Sequence, residues 1–566
     1  MSDRVIITIT ARIDGTFHVG GGKGVVANTA YVLRDEKQRV YLPGSSLKGK
    51  LRHNAMLLQE TCSSVQHDPG NVDCSCDVCA LFGAPGNARG KLKVGSLCST
   101  KDGYTATEQR TGNQVDRMRR TVDDNKLFSI EAVSDVECGD LVGDIVGYNL
   151  TRAQEKLLLR SIIQVEWIGG NTSRGLGRVR LIPKVKIDVE YDKAQFVAKN
   201  HERVCVLFTP ESPLFIGKQT RQSNFRDTLD YIPGEVVRAS LAAIITAECG
   251  SGEPGKRNWV TKPNDNSDRR YVSLRTVFPD IRISTFRPFG AKPYPFTAKK
   301  GKYCNHVMDT LAYKLSSGIS EIVCNKGKCV NERTDDIRGW RELETDKYMA
   351  LNTRSAINNR LGVVQDEALF SQQVLVPRED AGNRLFFSGW IYGDFCKNEL
   401  VELLTNPSLR IGALQSVGYG KVSAKLVEPE NDSMENLRSR INVFNDLITV
   451  KDTVYIPLLL LSDAVIDATS DNVDALTLVA GLFPRFTWHK AYVRAKRWRG
   501  VNTYAVAGQF KKSQLLLEAG SVFVIKVVCL TDVLLSDLLN LEESLPYGME
   551  LRVADEFHIE EAYIHE

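Results

Sequence analysis

Five side chains that bind borderline-soft cations, Cys62, His67, Cys74, Cys76 and Cys79, fall within eighteen residues of one another. The stretch HDPGNVDCSCDVC offers one imidazole and three thiolates, the donor set of a closed tetrahedral zinc site. Cys62 is the spare and could replace His67. Ligation by sulfur and imidazole with no open position implies structure, not catalysis. A second group with looser spacing, Cys304, His306, Cys324 and Cys329, predicts a second Zn2+ site. The chain has 13 cysteines, and its opening MSDRVIITITARI alternates like a strand in place of a basic-then-apolar leader. The expectation is a cytoplasmic protein whose clustered thiols hold metal and not disulfides.

A different chemistry is written in YLPGSSLKGKLR at 41–52. Proline and serine suit a helix start, where unpaired backbone N–H groups favour an anion. Lys48 and Arg52 stand four apart on one face, Lys50 lies near its edge, and Ser45 and Ser46 add hydroxyls. A phosphodiester would meet all of these together; the competing reading is a plain capped helix with a solvated basic face. The loop GGNTSRGLGR at 169–178, with Arg174, lets backbone approach a phosphate-rich ligand closely between cations, the competing reading being a tight turn, and Gly20-Gly21-Gly22-Lys23 is a smaller version. The polar stretch from Arg110 through Asn113, Arg117 and Met118 to Arg119 and Arg120 reads as a hairpin arm with an apolar wedge, or as a solvated charged loop. Near the end, Trp488, Lys490, Arg494 and Arg497 interleave aromatics with cations, suiting either stacked bases or a snorkelling surface. No GxxxxGK[ST] or RNP1-type aromatic motif occurs, so a P-loop nucleotidase and an ordinary base-stacking RRM are disfavoured.

The elements that must position these groups come twice. VIITITARIDGTFHVGGG, YLPGSSLKGKLR, RTGNQVDRMRRTVDDNKLFSIEAV and IGGNTSRGLGRVRL are followed in the same order by VCVLFTPESPLFIGK, YIPGEVVRASLAA, TRSAINNRLGVVQDEALFSQQVLV and LRIGALQSVGYGKVSAKL. Two related modules, 1–190 and 200–428, follow, the second with an insert around 251–340. Region 429–566 has no Pro-Gly motif, but VYIPLLLLSDAVI and GSVFVIKVVCL predict another sheet-bearing module. Alternating strands and helices around antiparallel sheets predict an α+β fold of repeated ferredoxin-like, RRM-type cores. With 73 Lys+Arg against 69 Asp+Glu, the net charge of +4 leaves any nucleic-acid binding to local patches. The longest apolar run, VYIPLLLL, is too short to cross a bilayer, so no membrane partner is expected.

The ordered set H-x-G-G-G, L-P-G-S-S-L-K-G-K-L-R, V-D-R, L-F-S-x-E and G-G-x-x-S-R-G-L-G-R-V is similar to the RAMP superfamily of CRISPR-associated proteins. Residues 1–190 most resemble the backbone subunit of type III effector complexes. Residues 200–566 resemble the type III-D subunit that caps the guide's 5′ end, through D-T-L-D-Y-I-P-G, the insert cysteines, R-S-A-I-N-N-R and L-F-S. The resemblance implies a fusion of two effector subunits, with a fusion of two backbone subunits as the competing assignment. It implies that Gly21, Gly22, Lys23, Ser45, Ser46, Lys48, Lys50 and Arg52 contact guide crRNA. It also implies that a thumb around 110–126 orders the duplex with complementary target RNA, and that the first cysteine cluster is the family's structural zinc site. In the second module Lys218, Arg238, Arg354, Asn358, Arg360 and Lys421 occupy matching motifs, although Glu235-Val236 replaces the serines. The implied partners are other type III subunits: a large polymerase/cyclase-like subunit, further backbone subunits and small subunits.

Active backbone subunits of this group carry an aspartate six residues before the Arg-Asp aspartate. Counting back from Asp35 lands on Thr29, in a loop 24–30 without any acid. The expected in-line attack by the target ribose 2′-OH needs a carboxylate as base or electrostatic organiser. The expectation is therefore a holder of RNA that does not cut it, with Asp35 structural unless loop slippage brings it in. A guide-processing endoribonuclease using His18 as general acid is the other enzymatic alternative, and an assembly protein that never touches RNA is the non-enzymatic one.

Overall fold

The computed structural model describes residues 4–23, 29–35, 37–59, 76–83, 90–116, 118–124, 126–187, 203–218, 225–249, 271–316, 322–324, 329, 332–341, 343–358, 363–377, 379–380, 383–428, 433–449, 452–466, 475–498, 514–544 and 548–563. Helices packed on antiparallel sheets make it an α+β protein, as the sequence predicts.

Three sheets share one connectivity. In the first unit, strand one (Arg4–Asp14) leads to helix A (Gly44–Leu58) and strand two (Leu92–Val94, continued by Leu97–Ser99). Strand three (Leu141–Tyr148), helix B (Arg152–Ile163) and strand four (Arg178–Ile187) complete it. The spatial order is four-one-three-two, every neighbour antiparallel, which is the order of a β-α-β-β-α-β split motif. The second unit repeats it with strands Arg203–Pro210, Arg282–Ile283, Phe387–Tyr392 and Val422–Val427, and helices Gly234–Cys249 and Lys397–Leu404. The third uses strands Val454–Leu460, Trp488–Tyr492, Val522–Val527 and Leu551–Val553, and helices Ala475–Leu482 and Asp532–Glu543. The tail is thus built like the units before it, although its sequence shares none of their motifs.

Local chemistry explains the elements. Strand one alternates, sending Ile7, Ile9 and Ala11 into a core that also takes Leu47, Leu51 and Ala55 from helix A, at helical spacing. Each buried leucine contributes roughly 2 kcal/mol. Helix B of the first unit opens on a capping box, Thr151 with Gln154, and helix B of the third on a Thr531 cap. Two further apolar clusters fill the second and third units.

Two additions matter for the site. Between strands two and three, the first unit carries a hairpin, Glu108–Gly112 against Phe128–Ser134, and the second carries Met349–Asn358 against Val363–Leu375. Thr111 faces Ser129 in one and Thr353 faces Ser371 in the other, so the two hairpins keep the same register. The second unit's insert adds a small sheet, Ala298–Gly301, Val307–Asp309, Val323–Cys324 and Glu332–Asp336, and a short helix, Leu311–Ser316.

Candidate nucleic-acid interface

Helix A of the first unit starts after an extended Pro43 with no side-chain cap and no acid in its first turn. Gly44 N donates to Ser96 Oγ (3.2 Å). A Cβ at position 44 would stand 2.4 Å from Val94 O and 2.9 Å from Val417 O, so only glycine fits where the second unit's loop crosses. That leaves the flank of the helix to a ligand. Leu47, Leu51 and Ala55 point inward, Ser46 is exposed, and Ser45, Lys48, Lys50 and Arg52 are half-buried. Burial, followed by the positive charge of Arg52, holds the Lys48 ammonium down to about 8. Arg52 Nε is buried without a hydrogen-bond partner. Among the described residues no carboxylate pairs with either cation. Two like charges held side by side without an acid favour an anion between them.

Three motifs meet at Glu131, whose partners its motif alone does not name. Glu131, the acid of L-F-S-x-E, accepts from Val32 N (2.7 Å), Arg34 (3.1 Å) and Thr107 Oγ1 (2.5 Å), while its own carbonyl faces His18 Nδ1 at 2.7 Å. Although burial acts against it, these donors hold the Glu131 carboxyl below its ordinary value. Its signal in the sequence is an acid in a half-buried strand, FSIEAV, which needs a partner.

His18 is buried in this knot, and its carbonyl accepts from Gly170 N (2.8 Å). In the second unit Phe215 O accepts from Ala413 N in the same way, so the twin of His18 is a phenylalanine. Asp35 is fully engaged: Lys37 N, Arg39 N and the Arg39 guanidinium all donate to it at 2.8–3.0 Å. Thr29 is buried, opposite Ser129 in a parallel pairing, and residues 24–28 lie outside the described residues.

The arm around 110–126 is a hairpin. Asp116 Oδ1 accepts from Met118 N and Arg119 N, which folds the tip and leaves Met118 94% exposed. Asn113, Arg119 and Arg120 are exposed beside it, Arg110 pairs with Glu108 (2.6 Å), and Arg117 lies outside the described residues. The glycine loop does something the sequence did not reveal. A Cβ on Gly169 would lie 2.5 Å from His18 O and one on Gly177 2.1 Å from Ile168 O, so Gly169 seats the loop against His18, just past strand one, and Gly177 closes the loop on its own Ile168. Gly175 has open space, and Arg174 lies over the Phe128 ring at 5.1 Å. Gly21, Gly22 and Lys23 sit in a short strand, Gly20–Lys23.

Residues 12–180 match the model of the RAMP superfamily. A similar protein, "CRISPR system Cms endoribonuclease Csm3" of Methanocaldococcus jannaschii, is 26% identical over 201 residues, 32% of this chain and 79% of its own. Over this stretch the chain is a CRISPR-associated RAMP protein. A WD repeat-containing protein 55 homolog of Drosophila ananassae is 26% identical over 148 residues, 26% of this chain but only 30% of that protein.

Outside the RAMP-matched residues, the second helix A keeps the backbone and changes the chemistry. A Cβ on Gly234 would meet Ile283 O at 2.2 Å, mirroring Gly44. Arg238 takes the place of Lys48 in the helix, but its guanidinium donates to Phe278 O (2.8 Å) and Ile281 O. A cavity of about 690 Å³ beside this helix brings Lys218, Arg238 and Arg497 together with Glu235 and Asp463. There Tyr231 OH donates to Asp463 (2.5 Å), and burial pushes both groups up. Lys421 pairs with Glu211 (2.9 Å). Arg354 and Asn358 lie on the hairpin strand Met349–Asn358, and Arg360 falls outside the described residues.

The aromatic-basic stretch is divided in the same way. Trp488 packs against Phe483, Phe486 and Phe523 and donates Nε1 to Phe483 O (3.1 Å). Lys490 donates to Lys314 O (3.3 Å), and Arg494 pairs with Asp336 (3.0 Å). Arg497 is exposed.

The second cysteine group assembles. Sγ of Cys304, Cys324 and Cys329 and a ring nitrogen of His306 all lie within 4.8 Å of one another. The separations are 3.7 Å from Cys304 to Cys324, 3.7 Å from Cys324 to His306 Nδ1 and 3.4 Å from Cys329 to His306 Nδ1. Zinc–sulfur bonds of 2.3 Å give a tetrahedron with edges of about 3.7 Å, so the donors are spaced for that ion. A Cβ on Gly301 would strike Cys304 Sγ at 2.2 Å, and Glu332 secures the turn by accepting from Tyr303 N and Cys304 N. Desolvation pushes the Cys329 thiol up to about 12, so a thiolate there calls for a cation. Of the first group, Cys76 Sγ accepts from Cys79 N (3.4 Å) at a helix start; Cys62, His67 and Cys74 lie outside the described residues.

Proposed function

We propose that this chain is an RNA-binding structural subunit of a type III, III-D-like CRISPR effector complex, which holds guide crRNA and orders target RNA along it. The observation that carries the reading is the pair Lys48 and Arg52: half-buried, side by side, with no carboxylate partner among the described residues, on the flank of a helix whose exposed Ser46 adds a donor. Phosphate contacts of this kind position a nucleic-acid backbone without reading its sequence. The exposed Met118 and neighbouring Arg119 and Arg120 on the hairpin tip suit an arm inserted at a base step.

In this reading 1–190, 200–428 and 429–566 are three RRM-like modules. The first is of backbone type, and the other two together cap the 5′ handle through the cavity that Lys218 and Arg497 line, with Arg238 holding its wall together. Zn2+ is the ion assigned to Cys304, His306, Cys324 and Cys329, and to the first cysteine group. The partners are crRNA, complementary target RNA and other type III subunits, in the cytoplasm.

The subunit does not cleave in this reading, because Thr29 stands where an acid would act and Asp35 is engaged in its own turn. The similar archaeal protein bears the name endoribonuclease, so target cleavage is the second reading. Incubating the assembled complex with labelled target RNA tests both. Intact target bound to guide supports the holder, and fragments that vanish with Asp35→Ala overturn it. A mobility-shift titration with guide RNA tests binding itself: absence of salt-sensitive binding contradicts the whole reading.

A further inference from the structure

The three units dock in one repeated way. A cation on the outer face of each strand two donates to a main-chain carbonyl of whatever covers that face. Lys93 donates to Ser408 O (3.3 Å) of the second unit and lies 5.5 Å over the ring of Tyr148. Arg282 donates to Ser544 O (3.0 Å) of the third unit and lies 5.2 Å over Tyr392. Tyr148 and Tyr392 each end strand three and pair with the arginine that opens strand one, Arg4 and Arg203. Arg4 reaches Glu248 (2.7 Å) in the second unit, and Arg203 feels Glu550, Glu543 and Glu542 in the third. A Cβ added to Gly418 or Gly548, in the loops before strand four, would stand 3.2 Å from Ser96 N or Ile283 O, so each loop packs closely on the preceding unit's strand two or its margin. Such a head-to-tail interface has no closure of its own: each unit that docks presents the face on which the next could dock.

On the third unit that face is already covered. Lys490 of its strand two donates to Lys314 O (3.3 Å), and Lys314 belongs to the helix Leu311–Ser316 of the second unit's metal-site insert. Leu311, Ala312 and Leu315 of this helix pack on Tyr455, Leu459 and Val524 of the outer sheet face. Lys314 lies 5.2 Å over Tyr492, which restores the cation-on-tyrosine contact with the partners exchanged. Buried Asp309 of the insert meets His558 Nδ1 (2.7 Å), and Arg494 meets Asp336 (3.0 Å). Among the described residues the opposite end is open: a Cβ on Gly175, the counterpart of Gly418, would meet nothing within 4 Å, and Ile163, the last residue of helix B in the same unit, is 67% exposed.

We infer that the insert held by Cys304, His306, Cys324 and Cys329 is a terminator, which imitates a docking unit and stops the row of modules at the third. The metal is the latch: it joins the loop of Cys304 and His306 to the strand carrying Cys324, and so fixes the short helix between them. This inference does not depend on RNA binding. Freed of its cover, the third unit's outer face is matched, among the described residues, by the first unit's end carrying Gly175 and Ile163 in a second copy.

Sedimentation of the full chain, with bound zinc measured in parallel, tests this. Zinc-loaded protein is expected to run as a single chain at micromolar concentration. Cys324→Ser/Cys329→Ser, or chelation, is expected to give concentration-dependent larger species that readdition of zinc reverses. Leu315→Arg, which lifts the helix while leaving the ligands in place, guards against simple misfolding and is expected to associate with zinc still bound. Adding Ile163→Arg to either variant is expected to return single chains. Variants that stay single, association that Ile163→Arg does not reverse, or association of the zinc-loaded wild type would each overturn the inference.

Discussion

Helix A of the first unit and helix A of the second begin on the same backbone and end in different chemistry. Both start at a glycine that a Cβ would drive into a carbonyl, Val94 O for Gly44 and Ile283 O for Gly234. Past that point Lys48 and Arg52 meet no acid among the described residues in the first, whereas in the second Arg238 is committed to Phe278 O and Ile281 O, beside Glu235. A duplicated fold fixes the backbone where units meet and frees the side chains one turn later. The first copy keeps a seat for an anion, while the second uses the same position to hold its own neighbouring loop.

The largest effect is expected where the copies agree. Gly44→Ala and Gly234→Ala each force backbone apart, and thermal unfolding should show a loss of at least ~2 kcal/mol for both. A loss confined to one would break the equivalence.

The copies should separate with Lys48→Ala/Arg52→Ala against Arg238→Ala. Charge-assisted contacts of about 1.5–3 kcal/mol each predict at least a hundredfold loss of guide-RNA affinity for the pair, with little change in melting. Arg238→Ala should leave affinity within about threefold and cost ~1–3 kcal/mol in stability, because two carbonyls lose their donor. Calorimetry and filter binding distinguish the outcomes.

A third contrast is with pH. Lys48 sits near 8, below its ordinary 10.5, so the free protein gives up its proton as pH rises through 8 while a phosphate restores it. Affinity should therefore fall, by up to about tenfold per pH unit, above 8. By the same linkage the bare fold gains stability from Lys48 between 8 and 10.5 as pH rises, because the unfolded chain binds the extra proton. Lys48→Arg should abolish the fall in affinity, and a flat wild-type profile would contradict the assignment.

The smallest effect is expected at His18. Its twin is Phe215, so His18→Phe should alter RNA affinity less than threefold and melting by ~1 kcal/mol or less. Loss of an RNA-processing activity in this variant would instead restore His18 as a general acid.

Much of this was legible in the sequence because the duplicated motifs are local. Pro-Gly before each helix A, alternation in strand one and the glycine loop before strand four are short patterns, and each formed where its pattern lay. The third unit was legible only as strands, because VYIPLLLL and SVFVIKV pair in the same order without a Pro-Gly start or glycine loop of the repeated kind. The role of Glu131 in L-F-S-x-E is not legible, because its partners Val32, Arg34 and Thr107 come from distant positions. The glycines of 169–177 suit a phosphate-rich ligand by their spacing, but Gly169 and Gly177 serve backbone packing. Trp488 likewise supports the core, because its ring faces Phe483, Phe486 and Phe523. The insert cysteines, loosely spaced in sequence, converge because a small sheet folds between them.

The most direct test of the central claim is the salt dependence of guide-RNA binding, compared between wild type, Lys48→Ala/Arg52→Ala and Arg238→Ala. Each cation on a single-strand phosphate adds about 0.7 to the slope of log affinity against log salt. The account predicts a slope shallower by about 1.4 for the first variant and unchanged for the second. Equal slopes in all three proteins, or a loss confined to Arg238→Ala, would contradict it.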